Sequence, residues 1–538
     1  MSAAAVSLPQ RLWDLVTWRA GRTPDRVLIS DNRGRALSAA AFRDAAESVA
    51  AGLAAHGVGE GTRVMWQLPT TVESVLLSVA LARLGAVQNP LITVAREAEL
   101  RALNEQFRPE FAVVPTRWRG FEHAATVRAL GGPGLTVLTC DHTETPAGGL
   151  ALPQAASPGL PPMPAHDGPR WVFTTSGSTA RPKAVRHTDA SVFASSNAMV
   201  EQLGIGPEDV FPMAYPYPHI GGVAWLLTAL RTGARLVVLD TFDAATTPFT
   251  MADQGATLLG SATPFFHAYI AAQRAHGPEP LFPRLRLCTG GGAPIAPDLA
   301  GAVRTSLGGL GIVNGYGLTE FPIAGFPRPS DLAAQATSAW LPASGVTVRI
   351  VGPDGTEVPR GQAGELRLRG PQAFSGYLDA ESTDAVDELG FVRTGDLAVL
   401  DERGLVVFTG RLKEIVVRNG ENISVAEVEA VLATHPAIAD VAVIALPHPR
   451  HGEICCAVVI PAPDTEPPTL SDLADHCRSA GLARYKTPER LTAIPVIPRT
   501  AMGKVQRERL RQAVLDADRS TATPLADAGA ANPYPIVE

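Results

Sequence analysis

"FTTSGSTARPKAVRHT", residues 173–188, carries six Ser or Thr hydroxyls, one Gly, one Pro, one Lys and two Arg. The apolar pair Trp171–Val172 leads into it and a helix-like run follows, which Thr188 or Asp189 can cap. Hydroxyls and backbone N–H groups in such a turn can ring a phosphate chain, and Lys183 can offset its charge. The P-loop pattern GxxxxGK[ST] is not met: Gly177 and Lys183 stand six apart, Pro182 precedes the lysine and Ala184 follows it. Taken alone, the stretch is an anion-holding loop of another design or a solvated connection between a strand and a helix.

The surroundings give this loop a fold. From about Leu37 to Ser330, strand-like and helix-like runs alternate. "TRVMWQL" (62–68) reads as a buried strand and "TTVESVLLSVALARLGA" (70–86) as an amphipathic helix. Short apolar runs at 235–240, 256–262 and 285–291 alternate with helix-like segments such as 264–276. This βαβα order predicts an α/β fold of largely parallel sheets covered by helices on both faces. Ligands in such folds sit at the carboxyl ends of the strands. From about Val346 the rhythm becomes strand–turn–strand with PDG and ERG turns, which predicts a small β-rich subdomain over about 340–409. A mixed block follows, with helices at 425–434 and 470–480 and strands at 441–445, 454–460 and 491–494. The domain reading is therefore 1–409, then a smaller α+β domain at 410–518. The Ala/Pro/Thr-rich tail, 519–538, has a composition that predicts disorder.

Composition narrows the function. The chain of 538 residues is long enough for more than one domain, and 46% apolar with 18% charged residues suits a large core. A net charge of −7 argues against a general binder of nucleic acid or anionic membranes. Five cysteines without CxxC or Cys/His ligand spacing indicate neither a disulfide framework nor a zinc site. The N-terminus lacks a signal-peptide pattern and no apolar run reaches 18 residues, so a cytoplasmic protein with no transmembrane segment is expected.

Further motifs stand in order along the chain: "PHIGG" (218–222), "GGGAP" (290–294), "NGYGLTE" (314–320), "RTGDL" (393–397), "GRLKEIVVRNGENISVAEVE" (410–429) and "PRTAMGKVQR" (498–507). Together with the opening loop they resemble the signatures of the adenylate-forming superfamily, which includes acyl-CoA synthetases, adenylation domains of peptide synthetases and beetle luciferases. The resemblance covers about residues 10–515. Where members usually carry "SGTTGxPKGV", this chain has "SGSTARPKAV", with Ala180 and Ala184 in place of glycines. The resemblance is strongest toward bacterial fatty- or cyclic-acyl-CoA ligases.

The resemblance implies a large N-terminal domain and a smaller mobile C-terminal one. It also implies a reaction in which a carboxylic acid, ATP, Mg²⁺ and CoA give an acyl-adenylate and then an acyl-CoA; a carrier protein or an amine is the alternative acceptor. Thr175, Ser176, Gly177, Ser178, Thr179 and Lys183 would then hold ATP or AMP. So would Gly291, Gly292, Ala293 and Pro294, with Asn314, Gly315, Tyr316, Gly317, Asp396 and Arg411. A flat Tyr316 between two glycines leaves room for a stacked base. Asp396 would accept the ribose hydroxyls, Thr319 would donate to the α-phosphate, and Glu320 would hold Mg²⁺. Lys504 would bridge carboxylate and α-phosphate. His219 would stand beside the incoming acid, and Tyr217, Gly221, Gly222 and Gly290 would line the acyl pocket. Lys413 takes the hinge position, and rotation about it would withdraw Lys504 and present the loop Arg418–Asn422. The plain structural alternatives are a turn Asp, a core Tyr and a surface Lys. Trp225 reads as core, and Cys455 and Cys456 as buried and inert.

Overall fold

The helix expected over 70–86 forms over Val72–Leu84 in the computed structural model. The structure describes residues 8–521 apart from 133, 147–148, 157–159, 166, 176–181, 261, 293–294, 296, 380–382, 413, 419–420, 449–450, 464, 481 and 500–503. Thr71 and Ser74 close a capping box at the start of this helix, and Gly85, at φ 71°, ends it in the left-handed region. The amphipathic reading is corrected: every residue but Arg83 is buried, because the helix packs against the helices Leu12–Arg22 and Ala39–Ala55 as well as neighbouring strands. Full burial also takes in Glu73, whose carboxylate meets the guanidinium of Arg35. Burial pushes that carboxyl up, but the hydrogen bonds and charge of Arg35 outweigh it and hold Glu73 below its ordinary range. Arg35 also donates to Asp31 at 2.6 Å, so the buried charges form a triad.

The α/β expectation holds. A six-stranded sheet runs in the order Thr136–Thr139, Phe111–Val114, Arg63–Trp66, Val87–Pro90, Trp171–Thr175 and Lys183–His187. All its pairings are parallel except the last. A four-stranded sheet runs Ala36–Ser38, Val27–Asp31, Arg235–Val238 and Val210–Met213, the last three parallel. A five-stranded sheet runs Leu258–Gly260, Leu287–Gly291, Ile312–Leu318, Phe321–Phe326 and Leu341–Pro342, and turns antiparallel after its third strand. The β-rich subdomain is an antiparallel sheet of Thr347–Val351, Ala363–Arg369, Val392–Leu400 and Val406–Arg411.

The chain divides into two compact units, Met1–Phe408 and Thr409–Glu538. In the second, strands Ile438–His448 and Gly452–Pro461 pair antiparallel and are buried on both faces. Val441, Val443, Cys455 and Ala457 pack with Val428 and Leu473 of two helices, while Ala442, Ile444, Cys456 and Val458 pack with Leu510 and Val514 of the helix Arg507–Thr521. This is the period of two along a strand. It sends the adjacent Cys455 and Cys456 into opposite cores, and all five cysteines are buried. The helix Arg507–Thr521 overruns the expected start of the tail at 519, and the rest of that tail lies outside the described residues. Among the described residues no helix is long and apolar enough to cross a membrane.

Two buried histidines of the first unit are held neutral. His123 bonds through Nδ1 to Gln67 Oε1 at 2.8 Å, and burial, reinforced by the charge of Arg96, lowers it to about 4. His187 is likewise lowered to about 4 by burial, against a small opposing effect from its bond to the Thr319 carbonyl. Below pH 6.5 the unfolded chain gains protons that the folded chain refuses until about pH 4, so stability is lost as pH falls through that window. Thermal melts at half-unit steps should show a flat melting temperature above about pH 7 and a decline toward pH 4. His187→Gln should shallow that decline, whatever it does to the plateau; curves that stay parallel to wild type would exclude the assignment.

Candidate active site

The strands Trp171–Thr175 and Lys183–His187 pair antiparallel, with Thr175 opposite Lys183. The hydroxyl-rich stretch between them therefore connects a hairpin rather than a strand to a helix. The reading of the sequence is corrected here because Ala184, Val185 and His187 are buried, making a strand of residues that looked like a run-in to the helix. The helix Asp189–Glu201 starts after it, capped by Thr188 in a capping box with Ser191. Ser176, Gly177, Ser178 and Thr179 lie outside the described residues.

A second hairpin carries the "NGYGLTE" motif. Leu318 pairs with Phe321, so Thr319 and Glu320 are the two residues of a tight turn. The first strand of this hairpin also runs parallel to Leu287–Gly291, with Gly290 beside Asn314 and Gly291 beside Gly315. The Gly-rich motif and the Tyr316 motif thus meet at the carboxyl ends of adjacent parallel strands. Gly292 has φ 81°, while Ala293 and Pro294 lie outside the described residues. Gly315 and Gly317, beside Tyr316, also answer a packing need. A Cβ on Gly315 would stand 2.4 Å from the ring of Phe326, and one on Gly317 would stand 2.5 Å from the backbone N of Ile323. Both glycines let the hairpin close.

Residues from elsewhere fix that turn. His187 Nε2 lies 2.7 Å from the Thr319 carbonyl and its Nδ1 lies 2.9 Å from Ser191 Oγ. A carbonyl only accepts, so Nε2 carries the proton of this neutral ring. The segment 374–378 lies along Lys183–His187: Ser375 N–H donates to the Arg186 carbonyl, Arg186 N–H to Gly376, and Leu378 N–H to Ala184. Phe374 N–H reaches the Glu320 carbonyl at 3.0 Å. This seating brings the Tyr377 hydroxyl 2.7 Å from Glu320 Oε1 and the Lys183 ammonium 4.8 Å from the centre of the Tyr377 ring.

Tyr316 donates its hydroxyl to Asp396 Oδ2 at 2.5 Å, and its ring lies parallel to the buried Trp340, 4.9 Å between centres. Asp396 sits in a bulge of the strand Val392–Leu400. Glu365 pairs with Leu397 and Arg367 with Arg393, so Leu366 alone faces Thr394, Gly395 and Asp396. Gly395 takes φ 69°, and the Thr394 hydroxyl donates to the Leu366 carbonyl and accepts from Asp396 N–H. The bulge turns the carboxylate of Asp396 toward Tyr316. The structure thus places three contact groups on one hairpin: Lys183–Tyr377–Glu320 and His187–Thr319 at its tip, and Tyr316–Asp396 on its first strand. It adds Tyr377, His187 and Trp340, none of which the motifs pointed to. His187 lies inside the opening stretch but carried no role there, and Trp340 and Tyr377 lie outside every motif.

The proposed acyl wall divides. Tyr217 is fully buried, its hydroxyl 2.6 Å from Ser78 Oγ and its ring stacked on Trp66, so it belongs to the core and not to an accessible wall. Trp225 stacks on Phe211 in that core. Gly222 is needed for packing: a Cβ there would stand 2.5 Å from the Tyr217 carbonyl oxygen. Gly221 differs, since a Cβ there meets nothing within 4 Å. Both follow His219, the partly exposed residue that precedes the helix Ile220–Thr232.

In the second unit, Arg411 ends a strand and Lys413 lies outside the described residues. Lys504 is exposed, in a loop closed at its base by a bridge between Arg499 and Val505 and by Gln506 N–H on the Pro498 carbonyl. Arg507 anchors that loop to Glu414 and Glu429, at 3.2 and 2.7 Å.

The donor set fits a magnesium ion that arrives with phosphates. Such an ion needs only one or two protein carboxylates. Glu320 takes Tyr377 on one oxygen, and no cluster of three or more His, Cys, Asp or Glu forms among the described residues.

Comparison with known proteins agrees with this geometry. Residues 16–378 match the family model of the AMP-binding enzymes, and residues 427–504 match that of the AMP-binding enzyme C-terminal domain. The chain is 31% identical to the medium-chain fatty-acid–CoA ligase of Escherichia coli, over 91% of this chain and 88% of that protein. It is 31% identical to the sulfoacetate–CoA ligase of Cupriavidus necator, over 92% and 96%. Among solved structures, ATP-bound MatB from Rhodopseudomonas palustris superposes with a TM-score of 0.83 at 26% identity, covering 95% of this chain and 100% of that one. The Bacillus subtilis O-succinylbenzoate coenzyme A synthetase, in complex with ATP and magnesium, gives 0.80 at 25%, covering 92% and 98%. The chain belongs to the AMP-binding, adenylate-forming enzymes.

Proposed function

We propose that the protein activates a carboxylic acid with ATP to an acyl-adenylate, releasing pyrophosphate, and then transfers the acyl group to CoA, releasing AMP. The observation that carries this reading is that one hairpin presents two polar groups, Glu320 held with Lys183 by Tyr377 at its tip and Tyr316 bonded to Asp396 on its first strand. The arrangement sets one cation and two carboxylates around a hairpin that ends a parallel sheet. The relatives' names support CoA as the acceptor.

Each residue takes a part that its chemistry allows. Asp396 accepts the hydroxyls of the ribose, and Tyr316, backed by Trp340, offers its other face to adenine. Lys183 and the hydroxyls before it meet the phosphate chain. Glu320 holds Mg²⁺, which screens the charge of the phosphates. Attack of a carboxylate on the α-phosphorus brings two anions together, so the site must supply positive charge and placement. Lys504 supplies that charge when its loop is in place. Thioester formation must admit the CoA thiol, so the second unit turns about Lys413 after pyrophosphate leaves. His219 and Gly221 stand beside the acid, where the open space at Gly221 accommodates its chain.

The reaction is tested with a panel of carboxylic acids, ATP, Mg²⁺ and CoA, read by pyrophosphate release and mass spectrometry. Acid-dependent pyrophosphate with AMP and an acyl-CoA is expected; ADP as product, or an acyl-adenylate that persists with CoA present, contradicts it. The pocket makes a second prediction. Gly221→Leu should fold and reject bulky acids while sparing short ones. Gly222→Ala should lower stability by roughly 1–3 kcal/mol, as overpacking does, with no preference among acids. A third prediction concerns Lys504→Ala. It should lower acyl-adenylate formation by at least about a hundredfold, the scale of losing one preorganised electrostatic partner, yet still convert supplied acyl-adenylate and CoA to thioester. Equal loss of both half-reactions in folded protein would remove Lys504 from the adenylation step.

A further inference from the structure

We propose that Tyr377 is the positioning residue of this site, its hydroxyl aiming Glu320 and its ring holding Lys183, so that one side chain sets the metal-binding carboxylate and the phosphate-binding ammonium together. The inference rests on the reading of the site given above.

The geometry is specific. A phenol has an electron-rich face and an electron-poor O–H edge. At Tyr377 the face receives the Lys183 ammonium, 4.8 Å from the ring centre, and the edge donates to Glu320 Oε1 at 2.7 Å. The two contacts reinforce one another, because a hydrogen bond to a carboxylate enriches the ring that the cation meets. Tyr377 has little freedom to miss these partners. Its neighbours are hydrogen-bonded to Ala184 and Arg186, and it bridges Val185 in the strand that begins at Lys183. Phe374, three residues earlier, is bonded to the backbone of Glu320 itself.

The neutral character of the donor matters. Glu320 takes no ion pair among the described residues, and the phenol fixes one oxygen without cancelling the charge. A cation brought in with ATP therefore meets an oriented carboxylate whose other oxygen accepts no hydrogen bond among the described residues. This is how an outer hydrogen-bonding partner tunes a metal ligand.

Two substitutions separate the two contacts. Tyr377→Phe keeps a ring for Lys183 and removes the hydroxyl; Tyr377→Leu removes both. ATP binding is measured calorimetrically with EDTA present, and Mn²⁺ binding to the enzyme–ATP complex by electron paramagnetic resonance. The Phe variant should bind metal-free ATP as wild type does, and should bind Mn²⁺ about tenfold more weakly. The Leu variant should in addition lose about three- to fivefold in metal-free ATP affinity. In a Glu320→Gln background, Tyr377→Phe should add nothing further. Wild-type Mn²⁺ affinity in the Phe variant, or an additive effect in that background, overturns the proposal, and so does unchanged ATP affinity in a folded Leu variant. If the unaltered protein itself fails to bind ATP, the functional reading falls with it. If the unaltered protein binds both ATP and Mn²⁺ and the variants match it, only the role of Tyr377 is lost.

Discussion

The seating of residues 374–378 along the strand Lys183–His187 is the constraint on which the site depends. Those residues leave the β-rich subdomain and become a further antiparallel neighbour for a strand of the six-stranded sheet. That pairing joins the six-stranded sheet to the subdomain, while His187–Thr319 and Tyr316–Asp396 tie each of them to the five-stranded sheet. The apolar core beneath has the same composition: Val185 from one sheet, Phe321 and Ala324 from the next, and Ile350, Leu366 and Val392 from the third. Each fully buried aliphatic chain there contributes about 1.5–3 kcal/mol, so a precise polar cluster rests on a shared apolar foundation.

Glycines enforce the approach where side chains would block it. Besides Gly315 and Gly317, a Cβ at Gly325 would fall 1.9 Å from the Leu341 carbonyl oxygen, and one at Gly364 would fall 2.5 Å from that of Val351. These contacts let backbones pair within the sheets that carry Tyr316 and Asp396. Gly395 works differently: nothing crowds it, but its positive φ shapes the bulge that redirects Asp396. The same residue type thus serves close packing at some motif positions and backbone reversal at another.

Much of this was legible from the sequence. Alternating apolar runs place the parallel strands because burial on both faces leaves a continuous apolar signature, as at Val64–Trp66 and Leu236–Val238. That same full burial hid the character of the helix Val72–Leu84, whose Glu73 and Ser78 look like a polar face and are in fact satisfied inside the core. Lys183, Glu320, Tyr316 and Asp396 stand in local motifs and could be read locally. Tyr377 and His187 could not, because their meaning lies in partners 57 and 132 residues away. Tyr217 shows the converse: a motif neighbour that looks like pocket lining is claimed by Ser78 and Trp66.

The choice of partner distinguishes the structural carboxylates from Glu320. Glu73 and Asp209 are buried against guanidinium groups, those of Arg35 and Arg286, and their charge is spent within the fold. Such pairs cannot accept another cation without giving up a buried guanidinium contact, which is costly. Glu320 receives its hydrogen bond from a phenol, which orients it and leaves its charge intact; Asp396 also takes a phenolic hydrogen, from Tyr316. At Glu320 a neutral donor is the cheaper device where a charged ligand must come and go, because it orders the carboxylate before the ligand arrives without spending its charge. The phenol at position 377 adds a face for Lys183, so cation and anion are both held ready without being spent on each other.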